Sequence, residues 1–405
     1  MSVPLRTPEI PANATFEPVS GDGWRNPFAM YRALRDHDPV HHVDRGDYWV
    51  LSRFADVFDA VRDTVTFTST QGLTFKYNEL QMAGLDEISP MVFLDPPDHT
   101  TFRRLVSRGF APRQVQSLEP DIRRFVVERL ETLGAAGGGD VVAELLKPLP
   151  SFVVATYLGV PPEDRERFDG WTQGILAANA FGDPTLAADT VGELFTFFAD
   201  LIERRREDPG DDVISELVQL CNEDRVTPMR ILGFSFTMVT GGNDTTTGLL
   251  SGGLDLLAAH PDQRDLLARR PDLIPAGIEE LLRLTSPVQG LARSTTKEVE
   301  VGGVVIPEGR KVMFLYGSAN RDTREFGSNA EELDITRNPR RILSFGYGPH
   351  HCLGAAAARL MGRVVLEELL ARYPRFGVDA AAGHFAPGHF VRWYESLPFT
   401  TEVAA

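Results

Sequence analysis

Along the 405-residue chain, apolar positions recur mostly at the three-and-four spacing of a helix with one buried face. NPFAMYRALRDHDP (26–39) predicts an early helix. VQSLEPDIRRFVVERLETL (115–133), ELFTFFADLIERRRED (193–208) and DVISELVQLC (212–221) predict more between about 115 and 275. Alternation in HHVDRGDYWVLS (41–52) predicts a short strand pair, and KEVEVGGVVIPEG (297–309) a hairpin turning at its glycines. GAAGGGD (134–140) reads as a loop too short to divide domains. A last helix from about 354 to 372 is stopped by Tyr373-Pro374. The pattern predicts one mainly α domain over 1–405, with an N-terminal arm at 1–25 and minor sheet at both ends of the sequence.

Composition narrows the function. A formal charge of −16 argues against a nucleic-acid binder, which needs a basic patch or stripe. The start, MSVPLRTPEIPANATFEP, lacks the apolar core of a signal peptide, and no run approaches the ~20 apolar residues of a membrane span. Two cysteines, Cys221 and Cys352, make no disulfide framework. The expectation is a soluble protein of a reducing compartment, the cytoplasm, with no membrane anchor.

Chemistry enters at FGYGPHHCLGAAAARL (345–360). Gly346, Gly348 and Gly354 free the backbone for close approach, and a strong helix former follows Cys352. A thiol near a helix N-terminus is favoured as thiolate, which makes it a candidate metal ligand or nucleophile. Zinc wants more ligands than this loop offers. A Cys–His hydrolase needs one histidine elsewhere, which composition leaves open. Haem iron takes a single axial thiolate and suits a solitary cysteine best.

A second segment breaks helix rules. Thr227-Pro228 is a good helix start, and the following apolar run predicts a buried helix over 227–259. Its centre, TGGNDTTTG, carries Gly241 and Gly242, each costing about 1 kcal/mol relative to alanine, and a charge at Asp244. Either small residues serve a close helix crossing, or a ligand lies against the glycines with a hydroxyl and a carboxylate aimed at it.

These segments resemble the cytochrome P450 family. Phe345, Gly348, Cys352 and Gly354 match its haem loop, F-x-x-G-x-x-x-C-x-G, and Gly241, Gly242, Asp244, Thr245 and Thr246 match its distal helix. Glu280 and Arg283 match its E-x-x-R helix, and DPPDHTTFRRLVSRGFAP (95–112) its propionate-binding helix. The resemblance implies a soluble, bacterial, actinobacterial-type monooxygenase. Its fold would be an α-rich triangular prism with a small β-subdomain, holding haem b between the distal helix and the cysteine loop.

By that resemblance Cys352 is the iron ligand and Phe345 shields its sulfur, while His99, Arg103, Arg293 and His350 reach the propionates. Gly241 makes room, Thr245 hydrogen-bonds dioxygen, and Asp244 relays protons. Arg321 is expected to complete a structural set with Glu280 and Arg283. Arg104 and Arg108 are expected to face an acidic electron-transfer partner. With no flavin region appended, electrons would come from a ferredoxin and its reductase to a monomeric enzyme. The substrate would be a hydrophobic small molecule in a pocket of Phe75, Met82, Phe93, Leu94, Met238, Gly241, Val288, Leu291, Phe390 and Val391. A haem protein that only senses gas is the rival, and Asp244 with Thr245 speak against it, since a sensor needs no proton relay.

Overall fold

The computed structural model of the protein describes residues 15–83, 88, 90–181 and 188–402. The early helix forms at Phe28–His37, and the strand pair joins Val40–Val43 to Tyr48–Leu51. The long helices run Glu119–Ala135, Pro148–Tyr157, Arg165–Phe181, Ala188–Glu207, Pro228–Ala259, Ile274–Thr285 and Ala355–Arg372. The expected hairpin pairs Val299–Val301 with Val304–Ile306.

Two expectations change. GAAGGGD is not all loop: Gly138–Asp140 is a strand paired with Pro398–Thr400, and a Cβ at Gly138 would lie 2.2 Å from Phe399 O. Glycine carries no strand preference, and the partner strand lies at the far end of the chain. Nor is the rest of the N-terminal arm loose. Residues 1–14 lie outside the described residues, but Trp24 is buried and donates from Nε1 to Gly388 O at 2.9 Å.

The largest sheet among the described residues joins strands from both halves of the chain and has five strands. Its spatial order is Val40–Val43, Tyr48–Leu51, Lys311–Phe314, Leu291–Thr295, Phe67–Thr68. Tyr48–Leu51 and Lys311–Phe314 pair in parallel, the other neighbours antiparallel. Apolar side chains gather in three clusters: a large one among the helices and two smaller ones on the faces of this sheet.

The 32-residue central helix, Pro228–Ala259, begins where Thr227 Oγ1 accepts from Arg230 N, and most of its length is buried. Its glycines divide by role. A Cβ at Gly242 would meet Val154 Cγ2 at 2.8 Å and one at Gly248 would meet Arg392 O at 2.6 Å, so these allow close packing. A Cβ at Gly241 would meet nothing within 4 Å. The close-packing reading of TGGNDTTTG therefore holds at Gly242, while the space beside Gly241 is open.

Candidate active site

Loop geometry brings Cys352 forward. Gly346 and Gly348 take φ of 64° and 72°, in the left-handed region glycine adopts freely, and Cys352 N donates to Phe345 O at 2.8 Å. The cysteine is exposed, yet surrounding protein pushes its thiol up, against the backbone N–H groups of Gly354 and Ala355 and the nearby Arg103 and Arg359 guanidiniums. Such a sulfur sits in a cleft, reachable but walled. The helix-start argument for a thiolate is outweighed by burial in the protein alone; a bound metal cation reverses that balance. Phe345 is half-buried under the Arg359 guanidinium, 4.6 Å from its ring centre, and Arg359 pairs with Glu279.

Beside the loop lies a cationic set. The His99 and His350 rings are 4.1 Å apart, and Ser69 Oγ is 3.2 Å from His350 Nε2. Burial, then neighbouring arginines, pushes His99 down to about 4 and His350 to about 2. Burial also pushes Arg103 and Arg293 down. Arg103 Nη2 donates to His351 O at 2.5 Å and Arg293 Nη1 to Ala292 O at 2.8 Å; neither forms an ion pair among the described residues. His99 Nδ1 is enclosed without a partner among the described residues. One buried guanidinium, one half-buried one and an idle imidazole nitrogen suit a ligand carrying two carboxylates. With a reachable sulfur and open space at Gly241, the residues fit haem.

On the central helix, Thr245 Oγ1 donates to Gly241 O at 2.9 Å. Asp244 Oδ1 is enclosed without a partner among the described residues, and burial pushes the carboxyl up to about 7.

The E-x-x-R pair is no solvated ion pair. Glu280 and Arg283 are fully buried and bound through two contacts of 2.7 Å. Their third member corrects the sequence reading. Arg337 Nε, not Arg321, reaches Glu280 Oε1 at 3.0 Å. Arg321 instead donates to Leu284 O and lies over the Phe28 ring at 3.7 Å. DITRNPRR (334–341) offered several arginines with no spacing rule to select one. Ser69 was missed for the same reason: its contact to His350 spans the chain.

The expected pocket residues are consistent in burial. Phe75, Phe93, Leu94, Met238, Val288, Leu291, Phe390 and Val391 are all half-buried; the Met82 side chain lies outside the described residues. Met238 and Val391 pack against the helical cluster, Val288 and Leu291 against one sheet cluster, and Phe75 and Phe390 against the other. Val288 pairs with Val391, and the Phe75 and Phe390 rings lie 5.3 Å apart, so members of the three clusters touch along this stretch.

Comparison with known proteins agrees. The family model for cytochrome P450 matches residues 269–376. Cytochrome P450 130 of Mycobacterium tuberculosis is 58% identical over 393 residues, covering 95% of this chain and 97% of that one. Vitamin D(3) 25-hydroxylase of Pseudonocardia autotrophica is 37% identical, covering 94% and 95%. The crystal structure of CYP109E1 from Bacillus megaterium with testosterone superposes with a TM-score of 0.83 at 32% identity, covering 93% and 100%. Among the described residues no helix is long and apolar enough to cross a membrane. Family members act on small molecules with electrons from redox partners. The chain belongs to the cytochrome P450 family and is a haem b monooxygenase that uses dioxygen as co-substrate.

Proposed function

We propose that this enzyme hydroxylates or dealkylates a hydrophobic small molecule, with multi-ring compounds of steroid size the first class to try. The observation that carries this reading is the set of eight half-buried apolar side chains, six of them packed against the three core clusters. A pocket so lined orients its guest by shape, with few polar groups. The testosterone complex of one neighbour and the name of one relative support the size class.

Haem, when bound, supplies the chemistry of dioxygen activation. Cys352 would hold its iron, and His99, Arg103, Arg293 and His350 its propionates. Gly241 leaves the helix face open beside the substrate. The Thr245 hydroxyl, tied to Gly241 O, keeps lone pairs free to accept a proton and can pass on its own. Asp244, with a carboxyl near 7, both gives and retakes a proton at neutral pH. Electrons are assigned to a ferredoxin and its reductase acting on a monomer; exposed Arg104 and Arg108, four residues apart, offer an acidic partner a landing point.

The test is an optical titration of the ferric protein with steroids, terpenes, fatty acids and aromatic amines. A low-spin to high-spin Soret shift with a ring compound is expected. An intact thiolate-haem spectrum that no apolar compound moves would sink the pocket reading. Absence of any Soret band would sink the role of Cys352.

A further inference from the structure

The central helix has a second face, away from Gly241. Behind it lies a cavity of about 240 Å³ walled by Lys147, Ser151, Asp169, Thr172, Asn243 and Asp244. Room for roughly eight waters follows from the ~30 Å³ each occupies. Polar side chains stand among its apolar walls, where a helix crossing would ordinarily carry none. Asn243 is buried to 2% exposure, and among the described residues its Oδ1 is enclosed without a partner; so is Asp244 Oδ1. Two buried acceptors without donors in one chamber call for water. Ser151 Oγ donates to Asp169 Oδ1, leaving the other Asp169 oxygen free of any hydrogen bond among the described residues. The rim residues Ala143 and Gln173 are exposed, so the chamber leads from solvent to Asp244.

We propose that this chamber is the proton inlet of the enzyme, and that Asp169 feeds Asp244 through water held against Asn243, Ser151 and Thr172. The proposal rests on the reading of Asp244 and Thr245 as proton carriers. A proton leaving Asp244 is replaced through the water file by one from Asp169, which recovers its own from solvent at the Gln173 rim. Only O–H bonds are made and broken, and the net charge of the chamber is restored. Burial raises both carboxyls above the ordinary carboxylate range, Asp244 to about 7, while the Ser151 hydrogen bond and Arg165 hold Asp169 back. The charged groups around them are Lys147, lying over the Trp393 ring, and Arg165, whose charge acts on Asp169 from its own helix. Asp169 does not touch the reacting atoms; it is a positioning residue that acts through Asp244.

The test uses the ferric holoenzyme. Infrared spectroscopy follows the carboxylic-acid C=O band of Asp244, assigned by its loss in Asp244→Asn, during transfer into D2O. Asp169→Asn should slow exchange of that band by about tenfold or more. In a second readout, a ferredoxin, its reductase and NADH drive dioxygen reduction without substrate. There Asp169→Asn should raise the peroxide share of the electrons and change the solvent isotope effect. A role for Asp169 in packing alone moves neither. Unchanged exchange and unchanged peroxide in Asp169→Asn overturn the inlet. If Asp244→Asn itself leaves the peroxide share unchanged, the underlying carrier reading fails instead. Should Asp169→Asn not yield holoprotein, Thr172→Leu, which fills part of the chamber, replaces it: slowed exchange supports the inlet and wild-type exchange overturns it.

Discussion

Two groups of buried arginines on either side of the cysteine loop obey opposite rules. Around Glu280, every charge is answered: Arg283 binds both carboxylate oxygens, Arg337 shares one, and the carbonyls of Asn320, Ala330 and Glu332 take the remaining Arg283 donors. Around His350, Arg103 and Arg293 reach only backbone carbonyls, and burial disfavours their charge. The first set is complete within the chain. The second is complete only with anions from outside it. Electrostatic closure thus separates a structural site from a binding site, although both are rich in buried arginine.

Removing Glu280 breaks the first set most severely. Glu280→Gln leaves two buried guanidiniums facing a neutral amide, and breaking a buried pair this way costs about 3–5 kcal/mol. The expected result is little folded protein, with a lowered thermal midpoint and Soret absorbance in what survives. A normal midpoint would mean that the Arg283 carbonyl contacts suffice alone.

Asp244 is the mirror case, a half-buried acid with no ion pair among the described residues. The fold keeps a proton on Asp244 that the unfolded chain releases near 3.8, so its contribution to stability is lost as pH rises from there through about 7. Each unit of that window is worth at most about 1.4 kcal/mol. Asp244→Asn should lack the slope and gain on the wild type as pH climbs. Parallel urea-midpoint curves for the two proteins between these pH values would refute the raised carboxyl.

Arg293→Leu tests the open set, with opposite signs in its two readouts. Without haem, the variant sheds a buried, unpaired charge, and its urea midpoint should match or exceed the wild type. With haem, one charge-assisted contact is gone, worth about 1.5–3 kcal/mol, so haem should leave for an acceptor globin at least about tenfold faster. Loss of stability in both forms would make Arg293 a structural residue like Arg283.

These contrasts also show what the chain's own pattern could reveal. The cysteine loop was legible because its glycines, thiol and following helix are local, and local backbone needs are written in consecutive residues. Glu280 and Arg283 were legible as a pair one helical turn apart, but their depth was not. Arg337 was missed for Arg321 because its contact spans 57 positions and depends on how a loop returns. Gly138–Asp140 was hidden likewise, its strand partner lying at the chain's other end. The chamber behind Asp244 was invisible: no period marks a space left between three helices.

The smallest effect concerns adjacent glycines. Gly242→Ala drives a methyl to within 2.8 Å of Val154 Cγ2. Overpacking of this kind costs about 1–3 kcal/mol, against about 1 kcal/mol regained in helix propensity, so a modest net loss is expected. Gly241→Ala meets no protein atom and should keep the whole propensity gain. The same methyl would stand on the face assigned to haem and substrate, so spectral shifts by large ring compounds should weaken while thermal stability holds or rises. If both substitutions destabilise equally, the two faces of the central helix are not the packed and open surfaces drawn above. If Gly241→Ala leaves ligand shifts untouched, the open space beside Gly241 belongs to something other than the substrate.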